Sequence, residues 1–264
     1  MGMTTRKHVG LIGYGAIGRE LHARLALDPT IHFTVLLREA SGAEPAVGNI
    51  VRTLDELIAA GPELVVEAAG QAAVIDLVPA LLGAGIDVVV VSSGALGNSE
   101  LLGRLTRIAQ RSGARLTVPS GAIGGLDYLA ALDGVDGVRV CYTSRKPVAA
   151  WTSELQQAGQ EPAALEGEFV LFEGSAAEAA RRYPRNLNAG LTVALAAGHE
   201  RTIVRVVADP RVARNTHEIT VESPLGTATM SFANLPSPAN PKTSALTAYS
   251  LAAAVRRHFD PVVI

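Results

Sequence analysis

Gly13-Tyr14-Gly15-Ala16-Ile17-Gly18 is the stretch whose reading decides the fold. It follows an apolar, β-branched run at 8–12 and opens a helically spaced stretch at 17–26. In that setting each glycine has a task. The first allows the tight turn, the second lets backbone approach a pyrophosphate, and the third lets helix and strand pack closely. The helix N-terminus then offers free N–H groups and a favourable dipole to an anion. Strand, G-x-G-x-x-G and helix in that order predict a dinucleotide held by Gly13, Gly15, Ala16, Ile17 and Gly18. The plain alternative is a glycine turn that binds nothing.

Outward from the turn, short β-branched runs at 33–37, 63–67, 87–91 and 115–118 alternate with helical spacing at 54–60, 72–82 and 99–110. Strands without polar alternation, separated by helices, belong to a parallel sheet covered on both faces. The right-handed crossover rule then leaves a Rossmann-type doubly wound sheet over 1–120. After Pro119-Ser120-Gly121 the pattern changes. Longer strands at 138–144, 168–172, 202–208, 217–222 and 227–232 are expected, the last two joined as a hairpin through Ser223-Pro224-Leu225-Gly226. Helices at 176–182 and 187–197 interrupt them. A smaller α+β domain is thus expected over 121–244. The spacing predicts a last helix over 243–258, so that 245–264 would pack back on the first domain.

The second strand's end often selects the cofactor, since an acid there receives the ribose 2′-hydroxyl and an arginine suits a 2′-phosphate. Here it reads Val35-Leu36-Leu37-Arg38-Glu39, with the acid displaced beyond Arg38. This points to NAD or NADP, with NADP accepted through Arg38, against the alternative of a solvated strand-end charge.

The chain has 264 residues, 48% hydrophobic and 18% charged, which rules out disorder. The lone cysteine, Cys141, excludes a disulfide scaffold and suits a reducing, cytoplasmic setting. A net charge of −2 gives no polybasic footprint for nucleic acid or an anionic membrane. The polar start lacks the features of a signal peptide, and no apolar run reaches the roughly 20 residues of a membrane span. No spacing of Cys, His or Glu matches a metal site.

Further segments carry a resemblance. They are Glu67-Ala68-Ala69-Gly70, Ser92-Ser93-Gly94-Ala95-Leu96, Pro119-Ser120-Gly121-Ala122-Ile123-Gly124-Gly125-Leu126-Asp127, Arg145-Lys146-Pro147, Asn186-Leu187-Asn188-Ala189, His217-Glu218-Ile219, and Asn234-Leu235-Pro236-Ser237 with Asn240-Pro241-Lys242-Thr243-Ser244. Together with the glycine turn they resemble the L-aspartate dehydrogenases over nearly the whole chain. The resemblance implies reversible, NAD(P)-dependent oxidation of L-aspartate to iminoaspartate, which hydrolyses to oxaloacetate and ammonia or feeds NAD synthesis. It places the active-site histidine on His217 and the nicotinamide-side contacts on Ala122 and Asn188, and it implies a homodimer in which the second domain, 121–244, serves substrate and dimerisation; Ala69 and Gly70 are further candidate cofactor contacts. Leu37-Arg38 departs from the acid that many members carry.

The chemistry fits these residue types. A hydride leaves Cα only from a neutral amine, and histidine titrates nearest the working pH. The bland alternative for His217 is a half-buried strand histidine. A dicarboxylate needs two cationic or N–H-rich partners. Lys242, Thr243 and Ser244 offer one such substrate-binding cluster, read as the start of the last helix with Pro241 opening it; the alternative is a helix cap. Rival readings are another two-domain reductase of aspartate-derived metabolites, such as a dihydrodipicolinate reductase or homoserine dehydrogenase, and a non-catalytic NADP(H)-binding sensor.

Overall fold

The structure is a computed structural model that describes residues 6–37, 48–183 and 188–263, without the side chains of Pro241 and Lys242. Two compact units emerge from the contacts, Met1–Gly121 with Thr247–Ile264, and Ala122–Leu246.

The first unit follows its βα alternation. In chain order it holds β1 (Lys7–Ile12), α1 (Ala16–Leu25), β2 (Ile31–Leu36), β3 (Asn49–Val51), α2 (Leu54–Ala59), β4 (Leu64–Glu67), α3 (Gln71–Gly83), β5 (Asp87–Val90), α4 (Ser99–Ser112) and β6 (Leu116–Thr117). The strands form one parallel sheet in the order β3-β2-β1-β4-β5-β6. Strand order reverses between β1 and β4, the place where doubly wound sheets open a crevice at their carboxyl ends. Helices cover both faces, so consecutive strand residues such as Val65 and Val66, or Val88 and Val89, are all buried. Capping sets the helix starts: Thr53 and Glu56 make a reciprocal box on α2, and Asn98 accepts from two first-turn amides of α4.

The second unit holds α5 (Leu126–Ala130), β7 (Arg139–Lys146), α6 (Thr152–Gln157), β8 (Phe169–Ser175), α7 (Ala176–Arg182), α8 (Asn188–Ala197), β9 (Thr202–Ala208), β10 (Thr216–Ser223), β11 (Gly226–Ala233), β12 (Pro236–Ser237) and β13 (Asn240–Ser244). Its five-stranded sheet runs β11-β10-β7-β9-β8, with β7 and β9 parallel and the other pairs antiparallel. The expected hairpin is present, with Ser223 paired to Gly226. Helix α8 is apolar nearly all round and packs on β7 and β9. A Cβ at Gly190 would stand 2.9 Å from the Tyr142 ring, so glycine there lets the helix backbone approach the sheet.

The last helix, α9 (Leu246–Phe259), starts later than its periodicity predicts. Residues 240–244 are instead a strand, with Pro236 opposite Ser244 and Ser237 opposite Asn240. The Ala245 amide donates to the Leu235 carbonyl, which closes the hairpin and uses backbone groups a helix would need. Ser244 Oγ then accepts from the Leu246 amide at 3.1 Å. Thr243 and Ser244 therefore belong to a hairpin, and Pro241 does not open a helix. Leu251, Ala252 and Val255 of α9 enter the core cluster of Val9, Leu11, Leu21, Val35 and Leu64. No helix among the described residues is long and apolar enough to cross a membrane.

Candidate dinucleotide cradle and acid–base cluster

The turn after β1 has the geometry its glycines require. Gly13 sits at φ +90°, a region costly for other residues, and a Cβ there would stand 2.8 Å from the Ala68 carbonyl oxygen. A Cβ on Gly18 would come within 2.2 Å of the Gly13 carbonyl oxygen, so α1 can only lie this close to the strand with glycine at 18. Around Gly15, by contrast, space is open for a Cβ, and the residue is exposed. Gly15 caps α1 without a side-chain bond, and the first turn, Ala16 to Gly18, carries no acid. Its first-turn amides are the donors a helix leaves unsatisfied. Open space, missing side chains and an uncapped positive helix end fit a pyrophosphate.

The neighbouring turn, after β4, completes this end of the sheet. The Ala68 amide donates to the Ile12 carbonyl at 2.8 Å, which ties it to the glycine turn. Ala69 is exposed, and Gly70, at φ +127°, caps α3 with open space at its missing side chain. Glu67 holds the turn in place and is fully buried. Its Oε1 accepts from the amides of Ala69 at 2.8 Å and Gly70 at 2.7 Å, and from Ser92 Oγ at 3.0 Å; its Oε2 accepts from the Ser92 amide at 3.1 Å. One carboxylate thus fixes the ends of β4 and β5. Sequence reading quoted Glu67 only within a motif. The available signal was an acid closing an otherwise apolar strand of a doubly covered sheet, where a buried carboxylate needs partners. Arg38 lies outside the described residues.

In the second unit, His217 lies near the start of β10, opposite Ser144 of β7 and Phe232 of β11. It is 8% exposed, more enclosed than the half-buried alternative supposed. Its Nδ1 is 2.7 Å from the hydroxyl of Tyr142, whose ring stacks on it at 6.0 Å between centroids. Burial, followed by the charge of Lys146, brings the imidazole down to about 4. Burial pushes the Tyr142 phenol above its ordinary value. His217 is therefore neutral at physiological pH, with a protonated phenol as its partner. A phenol oxygen can accept from Nδ1–H, and that leaves the Nε2 lone pair for a proton.

Arg145 fixes the strand ends around this pair. Its guanidinium donates to Glu218 through Nε and Nη2, to Asp209 at 2.8 Å through Nη1, and to Glu168. Arg211, then Arg145, hold Asp209 down to about 2. The network joins β7, β9 and β10 where His217 and Lys146 stand. Lys146, the next residue, is buried and was not singled out from sequence.

The remaining expected residues lie as follows. Ala122 presents a carbonyl that accepts from Asn234 Nδ2 at 2.6 Å. Asn188 is the exposed first residue of α8, and its carbonyl accepts from the Thr192 hydroxyl. Thr243 Oγ1 accepts from Asn240 Nδ2 at 3.1 Å within the β12–β13 hairpin. The Lys242 side chain lies outside the described residues.

A 3-2-1-4-5-6 parallel sheet with an anion-ready glycine turn at its reversal point, on one chain with a mixed sheet carrying a neutral buried histidine, defines a nicotinamide-nucleotide-dependent dehydrogenase of two units. The family models agree. Residues 13–119 match the NAD-binding domain of homoserine dehydrogenase, and residues 127–258 match the C-terminal domain of aspartate dehydrogenase. The chain belongs to the L-aspartate dehydrogenase family. It is 47% identical to L-aspartate dehydrogenase 2 of Bordetella bronchiseptica over 95% of this chain and 96% of that one. It is 39% identical to the L-aspartate dehydrogenase of Methanosarcina barkeri, over 96% and 92%. The crystal structure of aspartate dehydrogenase from Thermotoga maritima superposes with a TM-score of 0.77 at 27% identity, covering 98% of this chain and 99% of that one.

Proposed function

We propose that this protein oxidises L-aspartate reversibly to iminoaspartate with NAD or NADP, the imine then hydrolysing to oxaloacetate and ammonia. The observation that carries the reading is the neutral, enclosed His217 bonded to the Tyr142 hydroxyl, in a chain with a pyrophosphate cradle and relatives named for this activity. A bound nicotinamide cofactor would supply the acceptor for the hydride of Cα. Gly13, Gly15, Ala16, Ile17 and Gly18 hold its pyrophosphate, Ala69 and Gly70 line its course, and Ala122 and Asn188 meet its nicotinamide end. His217 takes the proton that makes the α-amine neutral, accepting at Nε2 while Nδ1–H donates to Tyr142. The same imidazole returns that proton in the direction of amination. Thr243 and Ser244, with Lys242, receive one carboxylate. Arg38 accommodates a 2′-phosphate, and the enzyme works in the cytoplasm as a homodimer.

The test is initial-rate kinetics with L-aspartate and each cofactor, for wild type and His217→Ala. The expected result is turnover by wild type and a loss of about 10³-fold or more in the variant, with cofactor affinity kept. Unchanged turnover in His217→Ala refutes the role of the histidine; cofactor binding without turnover of L-aspartate by wild type would favour a sensor. Arg38→Ala should raise KM for NADP and leave KM for NAD unchanged.

A further inference from the structure

The sheet of the second unit buries a cation beside its histidine. Lys146 is 7% exposed, and lysine is among the residues least often enclosed in a fold. Alternation along β7 sends Tyr142, Ser144 and Lys146 to one face. Ser144 is opposite His217, so Lys146 stands one pleat further along, on the face that carries the histidine. The Lys146 ammonium lies 4.8 Å from the centroid of the Trp151 ring, which is itself buried.

We propose that Lys146 receives one carboxylate of the substrate, next to His217. The proposal rests on the aspartate reading, which requires two carboxylate partners and takes only one from Lys242, Thr243 and Ser244. An ammonium removed from water attracts an anion more strongly than one at the surface. The arrangement also couples binding to proton transfer. Lys146 lowers the proton affinity of His217, and a carboxylate on Lys146 cancels that field, so the imidazole becomes a stronger base once substrate is seated.

Burial brings Lys146 down to about 8, with Glu154 of α6 acting in the opposite sense. Among the described residues, His217 of β10 feels its charge and is bonded in turn to Tyr142 of β7, while Asp209, whose amide donates to the Lys146 carbonyl, has its carboxylate held by Arg145 and Arg211. The ammonium form, and with it carboxylate affinity, is present below about pH 8 and lost above it.

The experiment uses wild type, Lys146→Met and Lys146→Arg, with L-aspartate as substrate and succinate as a dicarboxylate that cannot react. In Lys146→Met, KM for L-aspartate and Kd for succinate should rise about 100-fold, as for a desolvated charge pair that loses one member. Kd for the cofactor should stay within about twofold. Wild-type succinate affinity should fall about tenfold per pH unit above the lysine's titration, the signature of one coupled proton. Lys146→Arg should retain part of the binding and flatten that slope, because arginine does not titrate there.

An Lys146→Met enzyme with KM and succinate Kd within about threefold of wild type would overturn the proposal. So would an unchanged pH slope in Lys146→Arg, which carries the test if the methionine variant does not fold. Wild type failing to oxidise L-aspartate would overturn the parent reading instead, and this assignment with it.

Discussion

Replacing Glu67 by Gln isolates what one buried carboxylate does for the cradle. Glutamine has nearly the same shape, and its remaining oxygen can still accept from the Ala69 and Gly70 amides and from Ser92 Oγ. The new NH2 takes the place of Oε2 and meets the Ser92 amide, donor against donor. A hydrogen bond to a carboxylate contributes about 1.5–3 kcal/mol, and a stranded buried amide costs about 1–3 kcal/mol. These terms overlap, so the expected loss is about 3 kcal/mol. For a chain of this size each kcal/mol moves Tm by about 2–4 °C, which gives a fall of about 6–12 °C. The turn it releases lies beside Gly13, so Kd for the dinucleotide should rise about tenfold, equivalent to about 1.4 kcal/mol. Scanning calorimetry without cofactor and a fluorescence titration with reduced cofactor measure the two effects. A Tm within about 2 °C of wild type with unchanged Kd would refute the argument that Glu67 organises this end of the sheet.

Three further outcomes follow from the same geometry. Gly18→Ala puts a methyl 2.2 Å from the Gly13 carbonyl oxygen, and isothermal titration should find dinucleotide binding abolished or weakened by at least about 100-fold; near-normal binding would refute the close approach. Gly190→Ala presses α8 against the Tyr142 ring and should lower kcat about tenfold or more while leaving cofactor Kd alone, so equal losses in both would locate the damage elsewhere. His217 binds its proton at about pH 4 in the folded chain, against an ordinary value near 6.5, so the unfolded chain holds more protons between these values. Stability is accordingly lost as pH falls from 6.5 to 4, by about 3 kcal/mol from this group. Urea unfolding of His217→Gln should lack that share of the acid-side loss, and parallel curves for variant and wild type would contradict it.

The βα alternation was legible because β1, β2, β4 and β5 are mostly buried on both faces, and the glycine turn because its constraints are local. Helix 176–182 and strand 202–208 coincide with the observed elements for similar reasons, a capping box and a β-branched run. Strand β3 escaped notice, since three residues carry no period. The start of the last helix was misplaced because Thr243 and Ser244 continue a helical spacing that says nothing of the pairing of Ser244 with Pro236. His217 could be placed on a strand, but its phenol partner lies 75 residues away in sequence, on a neighbouring strand. Lys146 and Glu67 are each charges in phase with buried neighbours of their strands, and their burial comes from elements that pack over them. That mismatch between charge and pattern is the signal sequence reading can use.

The first unit is not continuous in the chain: it is left at Gly121 and rejoined at Thr247. Val9, Leu11 and Val35 share their core with Leu251, Ala252 and Val255, so β1 and β2 must wait for α9. During synthesis the second unit has all its strands before the first can close its core, which reverses the usual N-terminal-first order. Anything that stops translation short of Val255 leaves the parallel sheet with an open apolar face, exposed to aggregation and proteolysis even though every glycine of the turn after β1 is present.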